Sequence, residues 1–358
     1  MLSRREADVA AVVRAWRRLT ALRNQGKERG AGGRTLVGCS GGADSVSLVL
    51  ALASATDRVV VGHVVHDLRP RKEALADRDF VRDLAERLGL EFAEASVKVK
   101  RKRGAGTRNL EALARRARYD ALLEMAGERG IRFVAAAHHA DDQLETVVMS
   151  LLRGSGPAGL SGMPERRVLG WLDERRVWLV RPMLGAVIRG GITREVCRRM
   201  CERAGVTWRD DTTNTDVSRL RAAVRHRVVP VLRDIRPSAA ERATSAARLS
   251  SGIARLVGRI VTECIEAGHE RGSTGGYCVP RMLVAERGEV VAGEAVRRMY
   301  GMVVGRKGYD ALTARALGPI VRAVMDDDPE KRDFRVGDGL VRVKGPELCV
   351  YPHREKKP

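Results

Sequence analysis

A chain of 358 residues is long enough for two domains. Its 44% apolar content suffices for a buried core and excludes wholesale disorder. Lysine and arginine (66) exceed aspartate and glutamate (45) by 21 charges, an excess that attracts polyanions unless it is merely an arginine-rich solvated surface. Aromatics at 4% exclude an RNA-binding sheet built on ring stacking, so phosphate and shape contacts are expected instead.

Residues 1–33 read as a basic amphipathic helix and a Gly/Arg-rich connection. They lack the apolar core of a secretory signal, and the longest apolar run, Val46 to Ala55, is too short to span a bilayer. A cytoplasmic protein without a membrane partner is expected. Short apolar runs then alternate with helical periodicity: strands at Thr35–Gly38, Val59–Val65, Phe92–Val99 and Ile131–Ala136, helices at Ser45–Ala55, Glu73–Leu88, Asn109–Glu128 and Ala140–Leu152. Such alternation predicts βαβ units and a doubly wound, Rossmann-like parallel sheet with ligands at the carboxyl ends of its strands. Glycines at 154–162 mark a loop, followed by a strand at Val177–Val180 and a basic helix at Thr193–Ala204.

A polar stretch from Arg209 ends at Pro237, which sets the expected domain boundary. Residues 34–237 then form a catalytic domain and residues 238–358 a smaller, mostly helical α+β domain. The latter has helical runs at 239–267, 292–302 and 312–324 and a closing strand pair at 334–343 and 347–351. The six cysteines include no CxxC pair; Cys197 and Cys201 read as core residues of one helix face. Neither a structural metal nor a disulfide framework is expected, in keeping with a reducing compartment.

The chemistry concentrates in two places. Cys39-Ser40-Gly41-Gly42-Ala43-Asp44-Ser45 lies between a buried strand and a helix, where glycines expose backbone N–H groups and the helix N-terminus favours phosphate. Asp44 fits beside phosphates if Mg²⁺ bridges them. The Walker pattern is absent. Gly38-Cys39-Ser40-Gly41-Gly42 also matches G-x-S-x-G, the nucleophile elbow of α/β-hydrolases, a rival reading that leaves Asp44 unexplained. Second, His138, Asp142 and Glu145 stand where a strand passes into a helix, with the two carboxylates on one face. They suit an ammonium substrate and its deprotonation, or else simply cap the helix. Arg115 and Arg118 could reach an anion or line a solvated face, and the run Lys98–Arg103 could touch RNA or stay solvated.

Ser40-Gly41-Gly42-Ala43-Asp44-Ser45 resembles the signature of the PP-loop ATP pyrophosphatases. The following segments resemble the tRNA(Ile)-lysidine synthase family within that class. They are His63-Val64-Val65-His66-Asp67-Leu68-Arg69-Pro70, Asn109 to Tyr119 with Glu111, Arg115 and Arg118, and Ala137-His138-His139-Ala140-Asp141-Asp142-Gln143-Leu144-Glu145-Thr146. Leu152 to Met163, Arg181-Pro182 and Asp211 to Asp216 continue in register. Val65 and Ala222 depart from the family pattern, and tRNA recognition is expected to do without the further C-terminal extension of longer members.

The resemblance implies an ATP- and Mg²⁺-dependent ligase that adenylates the wobble cytidine of tRNA(Ile) with a CAU anticodon, then joins it to lysine. It implies that Ser40, Gly41, Gly42, Ala43, Asp44 and Ser45 bind ATP, with Asp44 on Mg²⁺. Arg115, His138, Asp142, Glu145 and Arg221 would serve lysine placement and catalysis. A tRNA thiolase of the same class is the alternative, against which the absence of paired cysteines counts. No sequence feature sets the oligomeric state.

Overall fold

The computed structural model describes residues 2–21, 33–67, 70–98, 110–188, 191–209, 220–272, 275–305, 312–327 and 330–352. The chain divides into two compact units, Met1–Ser155 with Gly159–Arg248, and Gly156–Ala158 with Leu249–Pro358.

In the first unit, α1 (Ala7–Thr20), β1 (Thr35–Gly38), α2 (Ala43–Ala53), β2 (Val59–His66), α3 (Arg71–Arg87) and β3 (Glu91–Val97) come first. α4 (Leu110–Glu128), β4 (Phe133–Ala135), α5 (Ala140–Leu152), α6 (Pro157–Leu160, whose first two residues belong to the second unit), β5 (Arg166–Leu172), β6 (Arg175–Val180), α7 (Pro182–Gly185) and α8 (Arg194–Arg203) follow. After α9 (Leu220–Ala223) a π-helical turn, Val224–Val228, leads into α10 (Val229–Ile235), and the unit division falls within α11 (Ala239–Glu266). The strand order is β3-β2-β1-β4-β6-β5, parallel except for β5.

Alternation along each strand covers both faces of this sheet. Val37, Val59 and Val61 join a core with α1, α2, α3 and α8, while Leu36, Val60 and Val134 pack with Leu122 and Met125 of α4. α1 belongs to the first of these cores: Val9, Val12, Val13, Trp16 and Leu19 are buried, and Trp16 Nε1 donates to Thr35 Oγ1 at 2.9 Å. β5 was not expected, because its arginine-rich sequence lacks clean alternation; its antiparallel pairing with β6 supplies the pattern instead.

The topology positions the site. The chain runs outward through β1, β2 and β3, then returns to lay β4 on the other side of β1. The loops after β1 and β4 therefore leave in different directions and open a crevice between them.

The second unit contains a five-stranded antiparallel sheet, order β7-β8-β11-β10-β9, where only a strand pair was expected. Its elements are β7 (His269–Arg271), β8 (Gly276–Pro280), α12 (Arg281–Ala285), α13 (Glu289–Val303), α14 (Ala314–Met325), β9 (Arg332–Val336), β10 (Gly339–Lys344) and β11 (Glu347–Pro352). The expected strand 334–343 is two strands joined by a tight turn at Gly337-Asp338, with Gly337 at φ +49°. Val341, Val343, Leu348 and Val350 form one core with Val296, Met299, Ile320 and Val324. The expectation of no disulfide is corrected here: Cys278 and Cys349, 71 residues apart, are bonded because β8 and β11 place them directly opposite each other. Among the described residues, no helix is long and apolar enough to cross a membrane.

Candidate active site

The loop after β1 is shaped by its own hydroxyls and glycines. Ser45 Oγ donates to Gly42 O at 2.9 Å and accepts from Ser40 N at 3.1 Å, closing a tight turn ahead of α2. Gly41 has φ +90°, a region costly for residues with a Cβ. Its carbonyl accepts from Arg209 N at 2.9 Å, while the Arg209 side chain pairs with Asp77 of α3 at 2.8 Å, stapling the loop from outside. The first intrahelical bonds run from Ser45 N and Val46 N to Gly42 O, which leaves the N–H groups of Gly42, Ala43 and Asp44 as donors without a backbone partner among the described residues. With the α2 dipole behind them they form an anion cradle.

Asp44, in the first turn of α2, ties this cradle to the loop after β4. Its Oδ2 lies 3.3 Å from His139 Nε2 and 3.8 Å from Arg194 Nε. Burial pushes the Asp44 carboxyl up, but the His139 and Arg194 charges outweigh it and hold the group below the usual range. Asp44 Oδ1 is buried and has no hydrogen-bond partner among the described residues. An anionic oxygen left open beside a phosphate cradle fits a hard divalent cation such as Mg²⁺.

The two adjacent histidines differ completely. The backbone at His139 is extended (φ −129°, ψ −176°), so the neighbouring side chains project in opposite directions. His138 meets Arg181 Nε at 3.2 Å and Arg115 Nη2 at 3.4 Å. Burial, helped by those guanidiniums and opposed by Asp142, lowers it to about 3, so it stays neutral. His139 is wholly buried among carboxylates, with Asp142 Oδ2 at 3.6 Å and Asp141 Oδ2 at 3.9 Å in addition to Asp44. Burial opposes its charge, but Asp142, Asp44 and Asp141 raise it to about 9, so it is an imidazolium at neutral pH.

α5 presents Asp142 and Glu145 to two arginines of the remote 220–228 segment. Arg225 Nε and Nη2 donate to the two oxygens of Glu145 at 2.6 and 3.0 Å; Arg221 Nε donates to Glu145 Oε2 at 3.0 Å and its Nη2 to Asp142 Oδ1 at 3.3 Å. Burial raises the Asp142 carboxyl, yet His139, His138 and Arg221 hold it far below the usual carboxylate range. The two carboxylates, expected to face an ammonium, are thus already charge-neutralised. Glu145→Ala should lower the unfolding free energy by roughly 3 kcal/mol, because it strands two guanidiniums around a buried site. Urea unfolding measures this, and a change below about 1 kcal/mol would contradict the network's structural role.

Asp141 has partners of its own: it accepts from Arg194 N at 2.8 Å at the start of α8 and pairs with Arg233 of α10. A cleft of about 310 Å³ opens here, lined by Asp141, Glu145, Arg194, Arg225, Val229, Pro230, Arg233 and Asp234. Gln143 clamps the glycine loop, donating to Met163 O at 3.3 Å and accepting from Met163 N at 2.8 Å. Gly162, at φ +60°, leaves no room for a Cβ beside that side chain.

Every expected site residue from Ser40 to Ser45, with Arg115, His138, Asp142, Glu145 and Arg221, therefore lies in one connected cluster. Sequence reasoning missed His139, Asp141, Arg194, Arg209 and Arg225; His139 and Asp141 stood inside the quoted motif. Leu68, Arg69, residues 99–103, Asn109 and residues 211–216 lie outside the described residues. The hydrolase reading lacks support, since among the described residues the non-glycine ones with positive φ are Asp173 and Glu174 rather than Ser40, and the Ser40 hydroxyl meets Ser45 at 3.3 Å. The four free cysteines are buried, and burial raises the Cys39, Cys197, Cys201 and Cys264 thiols, Cys201 to about 12. Such thiols are poor nucleophiles, which counts against sulfur transfer.

Residues 13–232 match the PP-loop domain family. The chain is 37% identical to the tRNA(Ile)-lysidine synthase of Salinispora arenicola over 276 residues, covering 76% of each chain. It is 35% identical to that of Alkalilimnicola ehrlichii over 334 residues (89% of this chain, 69% of the relative). It is 34% identical to that of Geobacter sulfurreducens over 300 residues, 82% of this chain but 58% of the relative. Relatives from Thermus thermophilus are matched over 36% of their length, so the chain spans about a third to just over half of several relatives. Among solved structures, the U34-tRNA thiolase NcsA of Methanococcus maripaludis shares the fold, with a TM-score of 0.50, 14% identity and coverage of 68% of this chain and 79% of that one.

Proposed function

Because the chain belongs to the tRNA(Ile)-lysidine synthase family of PP-loop proteins, we propose that it converts the wobble cytidine of a CAU-anticodon tRNA(Ile) to lysidine, using ATP and lysine. The carrying observation is the junction of Asp44 with His139, which joins a phosphate cradle to a charged cluster at the sheet's crevice. In this reading the N–H groups of Gly42, Ala43 and Asp44 and the hydroxyls of Ser40 and Ser45 hold the ATP phosphates. Asp44 would hold Mg²⁺, which when bound offsets the charge that builds on departing pyrophosphate.

Arg115, His138 and Arg181 form a donor-rich wall suited to an anionic or carbonyl group of the substrates. His138 acts there without adding charge, because it is neutral. Asp142 and Glu145 receive the ammonium of lysine, which must compete with Arg221 and Arg225 for their oxygens. The basic excess of the whole chain serves the tRNA backbone. The enzyme is expected to act in the cytoplasm, where its tRNA substrate resides.

Radiolabelled lysine incubated with total tRNA, ATP, Mg²⁺ and the full chain tests the reading. Label that enters tRNA only with ATP, and that stops in excess EDTA, is the expected result. Pyrophosphate release stimulated by tRNA without lysine label would keep ATP chemistry and reject lysine as nucleophile.

A further inference from the structure

The solvent side of the five-stranded sheet carries a cluster that lysidine formation does not use. Strand pairing places His269 opposite Cys278, and Cys278 opposite Cys349. Directly paired residues project from the same face, and Glu347, two positions before Cys349, projects with them. The opposite face, with Val279, Leu348 and Val350, supplies the unit's apolar core. Ligand atoms of His269, Cys278 and Glu347 all lie within 4.8 Å of one another, with His269 Nε2 at 3.8 Å from Glu347 Oε1. Cys349 Sγ is bonded to Cys278 Sγ. Opening that bond would free the Cys278 thiol within this trio and the Cys349 thiol beside it, completing an N/S/O donor set of the kind that holds tetrahedral zinc.

We propose that the reduced protein binds one Zn²⁺ through Cys278, Cys349, His269 and Glu347. The sheet is then cross-linked across β7, β8 and β11 by metal under reducing conditions, and across β8 and β11 by the disulfide under oxidising ones. The exchange balances. A dithiol reductant delivers two electrons and two protons to the sulfur–sulfur bond and itself becomes a disulfide; zinc then displaces both thiol protons to solvent. Arg271, which donates to both Glu347 oxygens at 2.7 and 2.6 Å, can keep one of them and orient the carboxylate from outside. The sulfurs are buried while the His269 side chain is 57% exposed, so the ion enters from the imidazole side.

The test uses the full chain, reduced with a phosphine and titrated with Co²⁺ as a visible probe for zinc. The reduced protein should bind one Co²⁺ per chain with a thiolate-to-metal charge-transfer band, which Zn²⁺ abolishes on displacing the cobalt, whereas the oxidised protein should show none. Cys278→Ser and Cys349→Ser should lose the band. His269→Ala, at an exposed position that leaves the core intact, should bind at least about tenfold more weakly, and this keeps the proposal testable if a cysteine variant fails to fold. A reduced protein without the band, a band of equal strength in Cys278→Ser, or unchanged affinity in His269→Ala would overturn it.

Discussion

Asp44→Ala is expected to lower ATP-dependent lysine incorporation by about 10³-fold in kcat/KM, with the fold retained. The size follows from what Asp44 offers that no neighbour replaces. Its Oδ1 is buried without a partner among the described residues beside the phosphate cradle, while its Oδ2 holds His139 at 3.3 Å. A merely structural role, through the α2 dipole and the ion pair with His139, would instead appear as lost folding stability with turnover by the folded protein retained. Asp44→Asn separates the two readings, because it keeps the shape and removes the charge. Steady-state kinetics and urea unfolding on both variants suffice: turnover above about a tenth of wild type in either folded variant would remove Asp44 from the metal and ATP site.

Folding stability should be greatest near pH 6.5 and fall on both sides, with the two adjacent histidines governing opposite limbs. His139 is raised to about 9 in the fold from 6.5, so its contribution is complete below pH 6.5 and is lost as pH climbs through 9. The loss over that window is roughly 3 kcal/mol. His138 is lowered to about 3, so below pH 6.5 the unfolded chain takes up a proton that the fold refuses, and stability falls towards pH 3. Asp44 and Asp142, both lowered, add to the acid limb as pH drops below the ordinary carboxylate value. Urea unfolding at several pH values should show a flattened alkaline limb in His139→Gln and a shallower acid limb in His138→Gln. An alkaline limb of unchanged slope in His139→Gln would refute the assignment.

The αβ alternation and the position of the phosphate loop were legible because they rest on contiguous residues. Apolar runs of strand length, glycines at a strand-to-helix turn and carboxylates at helix spacing are all local patterns. β5, β7 and β8 were not legible: Arg166–Leu172 and His269–Arg271 carry charges where a buried strand would carry apolar residues, and only their antiparallel neighbours make them strands. The disulfide escaped for the same reason, since two cysteines 71 residues apart share no spacing until β8 and β11 pair.

Within the site, the motif named the residues while the fold assigned their charge states. Two histidines side by side are equivalent as letters, and the extended backbone at the head of α5 turns one toward Arg115 and Arg181 and the other toward Asp44, Asp141 and Asp142. The pairing of Glu145 with Arg225, 80 residues on, likewise has no periodic signature. Local chemistry and element type follow from neighbours in the chain, whose geometry backbone sterics restrict to a few choices. Protonation and ion pairing depend on the field of groups brought together from distant segments, which tertiary packing alone sets.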